Sequence, residues 1–296
     1  MRGTAVFRRV YHGFVARTIA LILLASSTCC CASEFGSIPS DAAHVSSTET
    51  RHFLEMICPR DASATGCSVC PAEMPTSAQS WDLKSITFGH FLAPGSEDAF
   101  VSGTGCEPHS NGMSGAYLFT KDGSSWRKVW YAAGENASDC KKLLGSDGRD
   151  LLVCEGQDMH QGVADSFLYL LDAGRDPRTR EDNSLDIFFG LDDSLGSCTA
   201  LPDGTVLSGK IESVSFSAKD VRNIVGITVI ARLGKAAIPE RILHDCVQSN
   251  GNARPAMATV LRRYDFLFDG RKVLPKAKNP PTENAWAVAP RTSHHP

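Results

Sequence analysis

The chain has 296 residues, 42% of them hydrophobic and 21% charged, with a formal net charge of −3. An acidic excess without a basic cluster is a poor match to a phosphate backbone, which excludes nucleic acid as the expected partner. The length is enough to bury a full core, as one large β domain or two small ones.

Residues 1–32 read as a signal peptide. Arg2, Arg8, Arg9 and Arg17 supply positive charge without an acid, Thr18 to Ala25 is apolar, and small residues lead to cleavage after Ala32. The apolar run is too short for a bilayer, which takes about 20 residues. Four of the 30 basic residues and none of the 33 acidic ones fall in this stretch, so its removal takes the net charge from −3 to −7. The expected address is extracytoplasmic, in a periplasm or secreted, with no transmembrane segment after cleavage. A lipoprotein carrying its lipid on Cys29, Cys30 or Cys31 is the variant reading.

Residues 33–80 combine a small, polar, flexible leader, a short helix and a Cys-rich segment. The helix is expected over Thr48–Ile57, with Phe53, Leu54 and Ile57 on one side. From Trp81 the texture changes to short β runs cut by turn signals, which predicts an all-β domain over 81–275. The first four strands are expected over 85–91, 98–102, 115–120 and 126–131. A second group follows over 140–144, 150–154, 166–171 and 185–189. Asp98–Phe119 overlays Asp150–Leu171 without a gap, setting Phe100 on Leu152, Val101 on Val153, Tyr117 on Tyr169 and Phe119 on Leu171. A weaker third copy spans 197–231, and a hairpin across Asp269-Gly270 closes the domain. The spacing of roughly 50 residues suits propeller-like repeats of antiparallel four-stranded sheets, with a β-sandwich as the alternative. Residues 276–296 read as a disordered, Pro-rich tail.

Eight cysteines remain after residue 32: Cys58, Cys67, Cys70, Cys106, Cys140, Cys154, Cys198 and Cys246. In an exported chain an even number points to disulfides. Ser146-Asp147-Gly148 makes a tight turn, and counting outward from it sets Cys140 opposite Cys154 on adjacent antiparallel strands. By elimination Cys198 pairs with Cys246, leaving Cys58, Cys67, Cys70 and Cys106 to pair among themselves. Cys67-Ser-Val-Cys70 has the spacing of a redox dithiol or half a zinc site, but Pro71 follows where a helix would have to grow, so structural disulfides are expected.

Pro94-Gly-Ser-Glu-Asp-Ala-Phe-Val101 and Asp147-Gly-Arg-Asp-Leu-Leu-Val153 resemble the core of integrin-type FG-GAP repeats, which implies β-propeller blades. The Asp-rich calcium loop of those repeats has no counterpart here, so no metal site is carried over and no cofactor is expected. Gly105-Cys-Glu-Pro-His109, Trp130-Tyr131 and Asp147 to Gly156 are similar to a group of exported, uncharacterised bacterial proteins. That resemblance implies a compartment and no activity.

The candidate ligand-binding residues are positional. Glu107 and His109 follow the second strand of the first group, and Glu155, Asp158 and His160 follow that of the next. Equivalent loops of neighbouring blades emerge on one rim, so these acids and imidazoles are expected to converge there. Trp81, Trp126, Trp130 and Tyr131 are expected in packing rather than on a sugar-stacking surface. The expected function is a non-catalytic binding or scaffold module for an extracellular protein or glycan. The alternative is an extracellular hydrolase using the carboxylate and histidine residues of these loops.

Overall fold

Ser46 starts the first helix with a reciprocal cap. Its side chain accepts from the Glu49 N–H while the Glu49 carboxylate reaches back to the Ser46 backbone. The computed structural model describes residues 37–43, 45–73, 80–106, 115–133, 139–160, 163–176, 186–218, 224–249, 254–276 and 285–286. Helix α1 spans Ser47–Ile57 and buries Phe53, Leu54 and Ile57, the stripe legible in the sequence.

Three antiparallel meanders come next in chain order. The first sheet is β1 (Gly66–Cys67), β2 (Trp81–Gly89), β3 (Asp98–Gly105), β4 (Gly115–Asp122) and β5 (Ser125–Ala133), hydrogen-bonded in that order. The second is β6 (Asp139–Leu144), β7 (Asp150–His160), β8 (Val163–Leu171) and β9 (Asp186–Asp193). The third joins β10 (Thr205–Phe216), β11 (Val225–Ala237), β12 (Val260–Phe268) and β13 (Val273–Pro275). The expected weak third copy and the closing hairpin are therefore one sheet. Helix α2 (Glu240–Gln248), which sequence patterning passed over, lies between β11 and β12 and carries Cys246 to its partner Cys198. Within the expected disordered tail, β14 (Ala285–Trp286) pairs with Gly190 and Leu191 at the edge of the second sheet.

The layers stack in sequence order. Phe53, Leu54 and Ile57 of α1 pack on Val101, Tyr117 and Phe119 of the first sheet. The opposite face of that sheet, with Phe100 and Leu118, meets Leu152, Tyr169 and Leu171 of the second. Val153, Leu168 and Leu170 on the far face of the second sheet then meet Ile227, Val229 and Phe266 of the third. The gapless overlay holds for Tyr117 on Tyr169 and Phe119 on Leu171, both of which face the preceding layer. It is one residue out on the strand before. Phe100 and Leu152 face each other, and Ala99, which lies opposite Phe119 as Leu152 lies opposite Leu171, is the counterpart of Leu152. Pairing changes accordingly: Phe100 lies opposite Leu118, but Leu152 opposite Leu171. A single-residue slip is enough to exchange faces.

All four disulfides form: Cys58–Cys67, Cys70–Cys106, Cys140–Cys154 and Cys198–Cys246. The β6–β7 turn is the reason the third could be counted out. Gly148 takes φ of 83°, Gly145 N–H donates to the Arg149 carbonyl, and Cys140 lies opposite Cys154 in register. Four bridges indicate an oxidising environment outside the cytoplasm.

The leader is not loose over 37–43. It runs across all three sheets as a strap. The Ser37 carbonyl accepts from Val214 N–H in the third, Asp41 N–H donates to the Cys140 carbonyl in the second, and Ala43 N–H donates to the Ile86 carbonyl in the first. The Asp41 carboxylate takes the Lys142 N–H at 2.8 Å and the Lys141 ammonium at 2.6 Å, and Ile38 is buried beneath.

Candidate functional site

Glu107 and His109 lie outside the described residues. The expectation of a second loop carrying Glu155, Asp158 and His160 is corrected by β7, which runs on through His160. Glu155 pairs with Leu168, Asp158 with Asp165 and His160 with Val163. The polar stretch read as a loop because it extends the β7–β8 hairpin beyond the core. Gly156 holds that extension in register: a Cβ there would come within 2.5 Å of the Phe167 ring, so the absent side chain is what lets the ring lie across the backbone. Glu155 is an odd number of residues from both Asp158 and His160, so it occupies a strand position of opposite parity to theirs.

Glu155 faces the strap. The Ser37 hydroxyl donates to its Oε2 at 2.7 Å and the Ser37 N–H at 3.3 Å. Asp139 stands directly opposite on β6. Burial raises the Glu155 carboxyl above its ordinary range, the Ser37 bonds and the Lys210 charge pull it down, and the Asp139 charge adds to the rise. Burial raises Asp139 as well. Two carboxyls that resist ionisation, side by side, have the makings of an acid–base pair. Here one of them is engaged in tethering the strap.

The tryptophans are packing residues. Trp81 is fully buried against Tyr117, Trp130 donates its indole N–H to the Ala173 carbonyl at 3.1 Å, and Trp126 packs on Phe53 and Phe88. Tyr131 lies against Tyr117 with ring centroids 4.9 Å apart. Cys67 and Cys70 bond to different partners, so their spacing makes no dithiol.

What the sequence reading missed is the outer face of the third sheet. Along β11 the residues Val225, Ile227, Val229, Ala231 and Leu233 are buried, while Gly226, Thr228, Ile230 and Arg232 alternate with them on the other side. Ser213 and Ser215 of β10 and Arg263 and Asp265 of β12 extend that side across the sheet. Thr228 Oγ1 donates to Asp265 Oδ1 at 2.7 Å, and Arg263 Nε and Nη2 donate to the same carboxylate at 3.0 and 2.9 Å. These bonds, the Arg263 contact foremost, hold the Asp265 carboxyl below its usual range, so it stays charged at neutral pH. A groove of about 420 Å³ runs over this lattice, with Ser215, Thr228, Arg263 and Asp265 in its lining beside Phe216 and Leu267. The signal was present as alternation of Val, Ile and Phe with Ser, Thr and Gly over Ser213–Phe216 of β10 and Val225–Val229 of β11.

Among the described residues no group of three or more His, Cys, Asp or Glu could hold a metal ion, and no helix is long and apolar enough to cross a membrane. Comparison with protein-family models, curated proteins and solved structures finds no significant match to this chain.

Proposed function

We propose that this chain is an exported, non-catalytic binding module that receives an extracellular protein or glycan on the outer face of its third sheet. One observation carries the reading. The first two sheets are covered on both faces, whereas the third packs one face inward and turns a grooved lattice of hydroxyl, guanidinium and carboxylate groups outward. Convergent polar groups on a regular, hydrogen-bonded sheet suit recognition, because little ordering remains to oppose binding.

The test is a glycan array and a peptide array probed with the oxidised chain and with Thr228→Trp, which fills the groove. Signals that the wild type gives and the variant loses support the reading, and signals unchanged by the variant overturn it. A second reading, hydrolysis, draws on the adjacent carboxyls Asp139 and Glu155 and their raised pKa values. Breakdown of an array ligand that is abolished by Glu155→Gln would carry that reading instead.

A further inference from the structure

Three of the four disulfides are set into packed layers. Cys58, Cys67 and Cys106 belong to the core between α1 and the first sheet, with Cys70 half-buried against it, and Cys140 and Cys154 belong to the core between the first and second sheets. The fourth is different. Cys198 and Cys246 are buried, yet among the described residues neither joins any of the three hydrophobic cores. They link a tight turn to α2. In the turn, Thr199 N–H donates to the Ser194 carbonyl at 2.9 Å, Cys198 N–H donates to the Leu195 carbonyl at 3.1 Å, and Cys198 takes a φ of 59°. Glycine is the usual residue at such a left-handed position, so the Cys198 side chain stands there for its bond to Cys246 and not for the turn.

Helix α2 depends on that bond. It has nine residues, short of the about 12–15 at which an isolated helix holds in water. Pro239 before it supplies no side-chain cap, and Glu240, Arg241, His244, Asp245, Val247 and Gln248 are exposed. The two residues it buries are Leu243 and Cys246, so half of that anchorage is the disulfide itself. We propose that the Cys198–Cys246 bridge is a redox switch for α2: oxidised, it holds the helix on the fold, and reduced by a dithiol it lets Glu240–Gln248 unfold while the three sheets stay intact. A thiolate of the reductant attacks one sulfur, the S–S bond breaks, and the other cysteine leaves as a thiolate that takes a proton. The second thiol of the reductant then closes its own disulfide and releases the first cysteine, so two electrons and two protons pass to the protein. What sets the order of reduction is how firmly the fold holds two thiols together once their bond is open. Cys140 and Cys154 stay opposite one another on paired strands, and the cysteines of the α1 core stay packed, so those bonds re-form. Cys246 is left on a helix that keeps one buried side chain, Leu243, and its thiol parts from Cys198.

The oxidised full chain is equilibrated in buffers of rising reduced-to-oxidised dithiothreitol ratio, trapped by alkylation for peptide mapping, and followed in parallel by hydrogen exchange. Cys198 and Cys246 are expected to be the first pair alkylated, at a ratio at least about tenfold below that of any other pair. Over the same step, amide exchange in Glu240–Gln248 should accelerate at least about tenfold while β3, β7 and β8 exchange as before. Another pair opening first, unchanged exchange in α2, or exchange rising across the sheets overturns the switch. The double variant Cys198→Gly/Cys246→Ala separates the bridge from the turn, because glycine suits the left-handed position. Loss of α2 protection in that variant is then the work of the missing bond, and a helix still protected there overturns the proposal.

Discussion

The first and third sheets are both antiparallel meanders, yet one is sealed and the other half open. In β4 both parities are apolar: Ala116 and Leu118 face the second sheet, Tyr117 and Phe119 face α1. In β11 one parity is apolar and buried from Val225 to Leu233, while Gly226, Thr228, Ile230 and Arg232 take the other. A strand buried on both sides commits every position to packing, whereas one buried on a single side keeps half of them for solvent or a partner. The difference leaves the first two sheets committed to packing on both faces and the third with a face that packing does not use.

That division can be broken most forcefully at the buried interface. Phe100→Ala, between the first and second sheets, should cost about 3–5 kcal/mol in denaturant unfolding, since the cavity it leaves is walled by two rigid layers. A loss near that of a surface change would show the layers to be loosely packed. Replacing Cys140 and Cys154 together by Ala should cost about 3 kcal/mol, the value for freeing a loop of about 15 residues.

Glu155→Gln tests the strap through pH. The Glu155 carboxyl is raised by burial in the fold, so the protonated form is the one folding favours. Its contribution is present below the ordinary carboxylate range and is lost as pH rises through the raised value. At neutral pH the uncharged amide should raise Tm by about 2–4 °C, the size of a ~1 kcal/mol effect in a domain of this length. At acidic pH that advantage should vanish, and a thermal-melt series across pH reads both. An advantage that grows on acidification would contradict the assignment. The smallest effect belongs to the open face: Thr228→Ala should shift stability by about 0.5 kcal/mol or less while reducing any array signal. Stability lost there on the scale of Phe100→Ala would mean that the outer lattice holds the fold together.

Much of the fold was legible because its signals are local. The capped helix, the strand positions and the Cys140–Cys154 pair follow from periodicity and from counting outward past Gly148. The overlay of β3 on β7 failed by one residue because similar aliphatic runs match equally well in either phase, and only packing decides which face each takes. Glu155 was singled out for the wrong reason. Polar residues past a core look like a loop, and nothing local in the sequence says that Ser37, 118 positions away, will bond to it. The open face was written in the alternation of β10 and β11, a pattern visible only when both parities of a strand are compared.

The strap also has a consequence for the order of events during synthesis. Ser37 leaves the ribosome before any strand of the fold, yet the Val214 amide that it meets belongs to the tenth. A chain emerging from its N-terminus can complete its first two meanders while this segment has no place to dock in the third. Closure of the strap thus acts as a completion mark. Its Ser37–Val214 bond can form only on a molecule whose third meander has arrived, so a chain truncated before β10 would keep the Asp41 and Ala43 bonds of the strap and lack this one.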